Sequence, residues 1–285
     1  MTRRLVPILA CSLVLGCGGA EPSTSDDSVG TGDTGTSDTG STDTSDTSTT
    51  DTTDTTGDES CATPLPPEAM NPDNQLAFGI FFGGLELEIG SSLQFQVGLV
   101  QCCVFWDPLE TCSEYSVEPE GAGATIDLQT GVLTLADEVV DGTVFTVRAD
   151  IEQGKASVEA DLFAYRPELH PLKGFWHEVA RIPCGGGAEF VPSDPINELY
   201  FTAAGSLGVT WTPFEIYIDY TADYVADLDA GTLSLSGIGG NYVPADVDGE
   251  GLFSFEGDEL VLEDMWLGSS QDAMDPPACG HRFGK

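Results

Sequence analysis

The sequence predicts an all-β protein: a β-sandwich followed by an antiparallel barrel or half-barrel, with a disordered linker in front. Three observations predict it. Short runs alternate apolar and polar residues, the period of strands with one buried face. Clusters of Gly, Asp, Ser and Thr punctuate these runs at short intervals. No convincing amphipathic helix interrupts them. A chain of 285 residues suffices for two domains once its tails are removed. The boundaries fall at 1–16 for a leader, 17–60 for the linker, 61–166 for the first unit and 167–285 for the second.

Charge sets the first limits on function. Acidic residues number 48 against 9 basic ones, for a net charge of −39. A field of that sign repels nucleic acid and anionic lipid headgroups, keeps the chain soluble and attracts cations. Nucleic acid is therefore excluded as a partner. The only histidines are His170, His177 and His281, none in an HExxH spacing, and no CxxC occurs. No metal site and no cofactor is expected on these grounds.

The leader comes first in the chain. Arg3 and Arg4 form a positive start, and Leu5 to Leu15 form an apolar run. Such a run has the length of a signal-peptide core, about 7–15 residues, and is too short to span a bilayer. It closes on Leu13-Val14-Leu15-Gly16-Cys17. Ile8-Leu9-Ala10-Cys11 has a similar shape, but it would leave an apolar core of only a few residues. Leu13 to Cys17 resembles the lipobox of bacterial lipoproteins. The resemblance implies cleavage before Cys17, lipidation of Cys17 and tethering to a membrane outside the cytoplasm. Burial at about 0.8 kcal/mol per CH2 makes more than one acyl chain a stable anchor. Gly18 replaces the aspartate that lipoprotein sorting associates with inner-membrane retention, which implies the outer membrane or cell surface.

Residues from about Glu21 to Ser60 are nearly all Thr, Ser, Asp and Gly, as in Thr31-Gly32-Asp33-Thr34-Gly35. Almost no apolar side chain is present to offset ordering entropy, so the segment is expected to be disordered. A flexible chain of about 40 residues averages roughly 30–40 Å end to end, and like charges extend it. Its expected role is to hold the folded part clear of the lipid.

In the first unit, Leu85 to Ile89 and Leu93 to Val97 alternate on either side of Gly90-Ser91-Ser92. Ala124 to Asp127, Val132 to Leu135, Thr143 to Ala149 and a run near Ala156 to Phe163 follow. About seven short strands separated by turns argue for a sandwich. Glu118-Pro119, Ala124-Thr125-Ile126-Asp127, Thr130-Gly131-Val132-Leu133-Thr134 and Gly142 to Ala149 resemble bacterial immunoglobulin-like domains of the group found in invasin-type surface proteins. The likeness covers roughly 84–165. It departs at Tyr115, where members often carry tryptophan, and in the added Cys102, Cys103 and Cys112. It implies a spacer or adhesion module without catalytic residues.

The second unit opens at Leu172 to Val179 and proceeds by hairpins. Asn197 to Phe201 leads into Leu207 to Trp211, and Phe214 to Tyr220 alternates again. Asp227 to Gly231 turns into Thr232 to Leu235, and Phe253 to Leu262 folds about Glu256-Gly257-Asp258. Consecutive hairpins suggest an up-and-down barrel. Gly174-Phe175-Trp176 on the first strand and Arg282 on the last resemble lipocalin-like domains. The resemblance implies that Arg282 packs across Trp176 to close the barrel base, and it allows a small apolar ligand in the interior.

Outside the cytoplasm thiols tend to pair. After Cys17 there remain Cys61, Cys102, Cys103, Cys112, Cys184 and Cys279. Cys184 and Cys279 lie near the first and last strands of the second unit, where barrel closure could join them. Cys102 and Cys103 point to opposite faces if extended. They are expected to pair with Cys61 and Cys112, in an order the sequence leaves open.

No catalytic constellation emerges. Carboxylate pairs are uninformative in so acidic a chain, and no G-x-S-x-G elbow occurs. Gly237-Ile238-Gly239-Gly240 is expected to be a turn. Asp246-Val247-Asp248-Gly249-Glu250 is expected to be a β-turn, because Pro244 and Phe255 occupy the end positions of a Ca2+-loop register. The expectation is a non-enzymatic, membrane-anchored lipoprotein displaying β-domains for binding or adhesion, with a protein, a glycan or a small apolar molecule as partner. The alternative is a carrier whose barrel holds a small apolar ligand. Phe201, Trp211, Phe214, Tyr217 and Phe253 would fill the barrel in the first case and line a pocket in the second.

Overall fold

The computed structural model describes residues 65–67, 74–79, 85–101, 105–211, 218–270 and 274–285. The chain there is all-β. Ten strands form the first region: β1 (Asn74–Phe78), β2 (Leu85–Glu88), β3 (Ser92–Gln94), β4 (Val97–Gln101), β5 (Phe105–Pro108), β6 (Ser113–Glu118), β7 (Ala124–Ile126), β8 (Val132–Leu135), β9 (Val144–Ile151) and β10 (Ala156–Tyr165). They make a four-stranded sheet in the order β2-β10-β9-β6 and two three-stranded sheets, β3-β8-β7 and β1-β4-β5. Their inward side chains meet in one apolar core that includes Leu87, Phe95, Val97, Leu133, Phe145, Val147, Ile151 and Leu162. In β9 the residues Phe145, Val147, Ala149 and Ile151 are buried at every second position, the burial that period-2 patterning dictates.

Two alternating runs that adjoin in sequence take different sheets. β2 pairs in parallel with β10, whereas β3 pairs antiparallel with β8. Gly90 permits the change of sheet: its φ is +85°, and a Cβ there would lie 2.5 Å from Asp137 Oδ1. The run Leu93 to Val97 is also broken, because β3 ends at Gln94 and β4 begins at Val97. Phe95 and Val97 still bury in one core, so the side-chain alternation survives. What changes is the backbone partner, from β8 to β1 and β5.

A 3-10 turn at Pro167–Leu169 leads into the second region. Lys173 Nζ lies 2.8 Å from Glu86 Oε2, and the Ala204 N–H donates to Glu86 Oε1 at 2.8 Å. The strands that follow are β11 (Gly174–Pro183), β12 (Glu198–Phe201), β13 (Ser206–Thr210), β14 (Tyr220–Asp227), β15 (Thr232–Gly240), β16 (Glu250–Glu256), β17 (Glu259–Glu263) and β18 (Ala278–Gly284). Each pairs antiparallel with the next, and β18 returns to β11, so the eight close into a barrel rather than a half-barrel.

The interior is filled by side chains. Leu172, Trp176, Ile196, Leu199, Phe201, Leu207, Val209, Trp211, Tyr220, Leu233, Phe253, Leu260, Leu262, Met265, Leu267 and Phe283 are all buried in one cluster. Eight strands leave an interior of about the width that side chains can fill. Turns fall where Asp and Gly predict them. Asp227 Oδ1 accepts from the N–H groups of Asp229 and Ala230, and Gly257-Asp258 joins β16 to β17. Gly237 to Gly240 is not a turn, contrary to the sequence expectation, but the end of β15. The β14–β15 register slips between Thr221 and Asp223, and Gly237 opposite that slip has a φ of +63°. A glycine in the left-handed region supplies the extra residue of a bulge without breaking the strand.

Candidate functional site

The barrel closes along β11 and β18, and the polar chemistry of the second region concentrates on this seam. Cys184 lies just beyond the end of β11, and Cys279 is the second residue of β18. They form a disulfide across the seam with a Cα–Cα distance of 4.9 Å. This is the pairing that the sequence suggested for them. Cys112 is also disulfide-bonded. Cys17, Cys61, Cys102 and Cys103 lie outside the described residues, as do the leader, the 17–60 linker, Phe214 and Tyr217.

Below the disulfide, three ionisable side chains are buried together: Glu178, Arg181 and His281. Arg181 donates from Nε to Glu178 Oε1 at 3.0 Å and from Nη2 to Oε2 at 3.2 Å. Arg181 further reaches the Asp194 carbonyl at 2.6 Å and Asp275 Oδ2 at 3.0 Å. The Ile196 N–H donates to Glu178 Oε2 at 2.8 Å. Both carboxylate oxygens therefore accept two donors each, which is what burial of a charge requires.

His281 is oriented by its two neighbours. The Leu267 N–H donates to Nε2 at 3.1 Å, so Nε2 is the acceptor nitrogen. The proton then sits on Nδ1 and is donated to Glu178 Oε1 at 2.5 Å. The ring is neutral in this arrangement and stacks on Trp266, 4.4 Å between centroids and 10° from coplanar. Arg181 packs over the same indole at 5.3 Å. Burial pushes the His281 imidazole down from its ordinary value, and the pull of Glu178 only partly offsets it. Burial pushes Glu178 up, but the hydrogen bonds and charges of His281 and Arg181 outweigh it and hold the carboxyl below its ordinary range.

A carboxylate beside an imidazole can serve as a general base when one ring nitrogen is free for a substrate. Here both nitrogens are engaged by the protein and the ring is fully buried. The arrangement holds the seam together and offers no open position for chemistry. Sequence reasoning missed this triad. The only signal for it was Glu178 two residues after Trp176 on an inward face.

The pairing of Arg282 with Trp176 is corrected by the structure. Strand alternation sends Phe283 into the barrel core and Arg282 to the outer face. Arg282 there meets Glu189 at 2.9 Å, Glu256 at 2.7 Å and Glu259 at 3.0 Å. The cation over Trp176 is Lys285, whose Nζ lies 4.6 Å from the ring centroid. Trp176 itself is buried, and its indole N–H donates to the Leu172 carbonyl at 2.7 Å.

Asp246 is occupied by the fold. It accepts from Trp266 Nε1, from the Ser269 N–H and from Ser269 Oγ, the last at 2.6 Å. Asp248 Oδ1 faces the Glu250 N–H. Among the described residues no three His, Cys, Asp or Glu side chains come together as a metal site. No protein-family model matches the chain, and no curated protein matches it.

Proposed function

We propose that this chain is an extracytoplasmic lipoprotein, anchored through Cys17, that displays two non-catalytic β-units for binding or adhesion. The first unit acts as an immunoglobulin-like spacer or adhesion module, and the second as a lipocalin-like barrel serving as a display scaffold. The outer membrane or cell surface is its expected place. The observation that carries the display reading is the barrel interior. Positions that would line a chamber in a carrier are instead occupied, with Phe201, Trp211 and Phe253 packed into the core. The Cys184–Cys279 pair supports an oxidising compartment, which agrees with the lipobox-like leader.

The test is metabolic labelling with palmitate in a bacterial host. Label is expected in the wild-type protein in the membrane fraction. Cys17→Ser is expected to lose both label and sedimentation with membranes. Unlabelled wild-type protein recovered from the cytosol contradicts the proposal.

A further inference from the structure

At the end of the barrel beside Pro171, a depression of about 650 Å³ opens to solvent. Its lining includes Pro171, Trp176, Phe255, Asp258, Glu259 and Lys285. The strand pattern explains why an aromatic ring is available there. Phe253 and Phe255 are two residues apart on β16 and so share the inward face. Phe253 is buried within the barrel, whereas Phe255 lies beyond it toward the mouth and stays 40% exposed. Phe255 and Trp176 stand 6.1 Å apart, two aromatic walls meeting at one corner.

The charges at this mouth are specific. Asp258 is exposed and joins no ion pair among the described residues. Glu259 lines the same depression, held by Arg282 from outside. The Lys285 ammonium rests over the Trp176 face and likewise joins no ion pair among the described residues. An ammonium on an indole face beside carboxylates is the arrangement that recognises organic cations. The site sits in a chain of net charge −39, whose field favours cations and disfavours anions.

We infer that this depression is a binding site for an organic ammonium group, with Trp176 and Phe255 as its aromatic walls, Asp258 as its counter-charge and Lys285 as a resident cation that a ligand displaces. Lys285 is then an intramolecular competitor. Its removal exposes the Trp176 face and raises affinity for an external ammonium. The aromatic contact at an exposed site implies a change of roughly two- to fivefold.

The experiment is a calorimetric titration of the full chain at constant ionic strength. Three probes are used: choline, N-acetyl-lysine amide and neohexanol, the neutral isostere of choline. Choline is expected to bind saturably and neohexanol not to. N-acetyl-lysine amide binding as well as choline would assign the site to primary ammonium groups of peptides, and weaker binding would assign it to quaternary ones. Lys285→Ala is expected to tighten choline binding roughly two- to fivefold. Phe255→Ala and Asp258→Asn are expected to weaken it. Because Asp258 is exposed, its variant keeps the fold, and a circular dichroism spectrum checks this. Equal binding of neohexanol and choline, no saturable choline binding to either wild type or Lys285→Ala, or no effect of Lys285→Ala would each overturn the inference.

Discussion

The two cores of this protein are built from different materials. Among the described residues, the buried side chains of the first core are apolar or aromatic, from Phe78 to Ala164. The barrel buries a comparable apolar cluster but adds Glu178, Arg181 and His281 at its seam. The phenol of Tyr115 in the first core is pushed up by burial and stays neutral in acid, so that core brings no acid-titrating group among its buried described residues. A buried ionic network is stable only while every member keeps its partner and its protonation state. The barrel should therefore respond to acid and to single charge deletions in ways the first region does not. Amide hydrogen exchange, read separately on β9 and on β18, distinguishes the two.

The largest effect is expected from Glu178→Ala. It leaves Arg181 and His281 buried without their shared acceptor, and removal of one partner from a buried pair costs about 3–5 kcal/mol. Exchange protection is expected to fall in β11 and β18 and to hold in β9. Equal loss in both regions would break the comparison. Cys184→Ser with Cys279→Ser comes next. The two cysteines are 95 residues apart, and such a crosslink stabilises by about 2–5 kcal/mol. Chemical denaturation with barrel-specific probes measures it.

Acid is the third lever. His281 is held below its ordinary value of 6.5, so below that pH the unfolded chain binds more protons than the folded one. The barrel is expected to be at full stability above about pH 6.5 and to lose stability as the pH falls toward the depressed folded value. Glu178 is held below 4.5 and adds a second loss of the same sign as the pH falls through that region. His281 faces Glu178, Arg181 and the Leu267 amide: the Arg181 charge and the Leu267 N–H on Nε2 favour the neutral ring, whereas Glu178 pulls toward the charged form and only partly offsets burial. A melting temperature read by barrel fluorescence that stays flat between pH 7 and 5 would remove His281 from the account.

The smallest effect is expected on the outer face of the same seam. Arg282 holds three glutamates, yet its partners are between 37% and 62% exposed. Solvent-screened pairs contribute about 0–1 kcal/mol each. Arg282→Ala is expected to cost little, with the cost shrinking as salt is added. A loss as large as that of Glu178→Ala would mean that the network outside, not inside, closes the barrel.

Much of this fold is legible because period-2 alternation is a local property. Thr143 to Ala149 and Phe253 to Leu262 read as strands from their own residues, and Asp227 and Gly257 mark their turns without reference to anything distant. What failed is non-local. Gly90 looks like a tight hairpin turn, but the partners of β2 and β3 lie far along the chain. Glu178 and Arg181, three residues apart, should point to opposite faces of a strand. They share one because the β11–β18 register slips between Glu178 and Ala180. His281 joins them from about 100 residues away. The place that the resemblance implies for Arg282 fails on strand parity: Phe283 takes the inward position, and the cation over Trp176 comes from Lys285.

The measurement that bears most directly on the whole account is intact mass analysis of the mature protein purified from membranes of its own source, followed by non-reducing peptide mapping. The account predicts a chain that starts at Cys17 with the mass of its acyl groups, and a Cys184–Cys279 linked peptide. A chain that starts at Met1, with no added lipid mass and with Cys184 and Cys279 as free thiols, would contradict it.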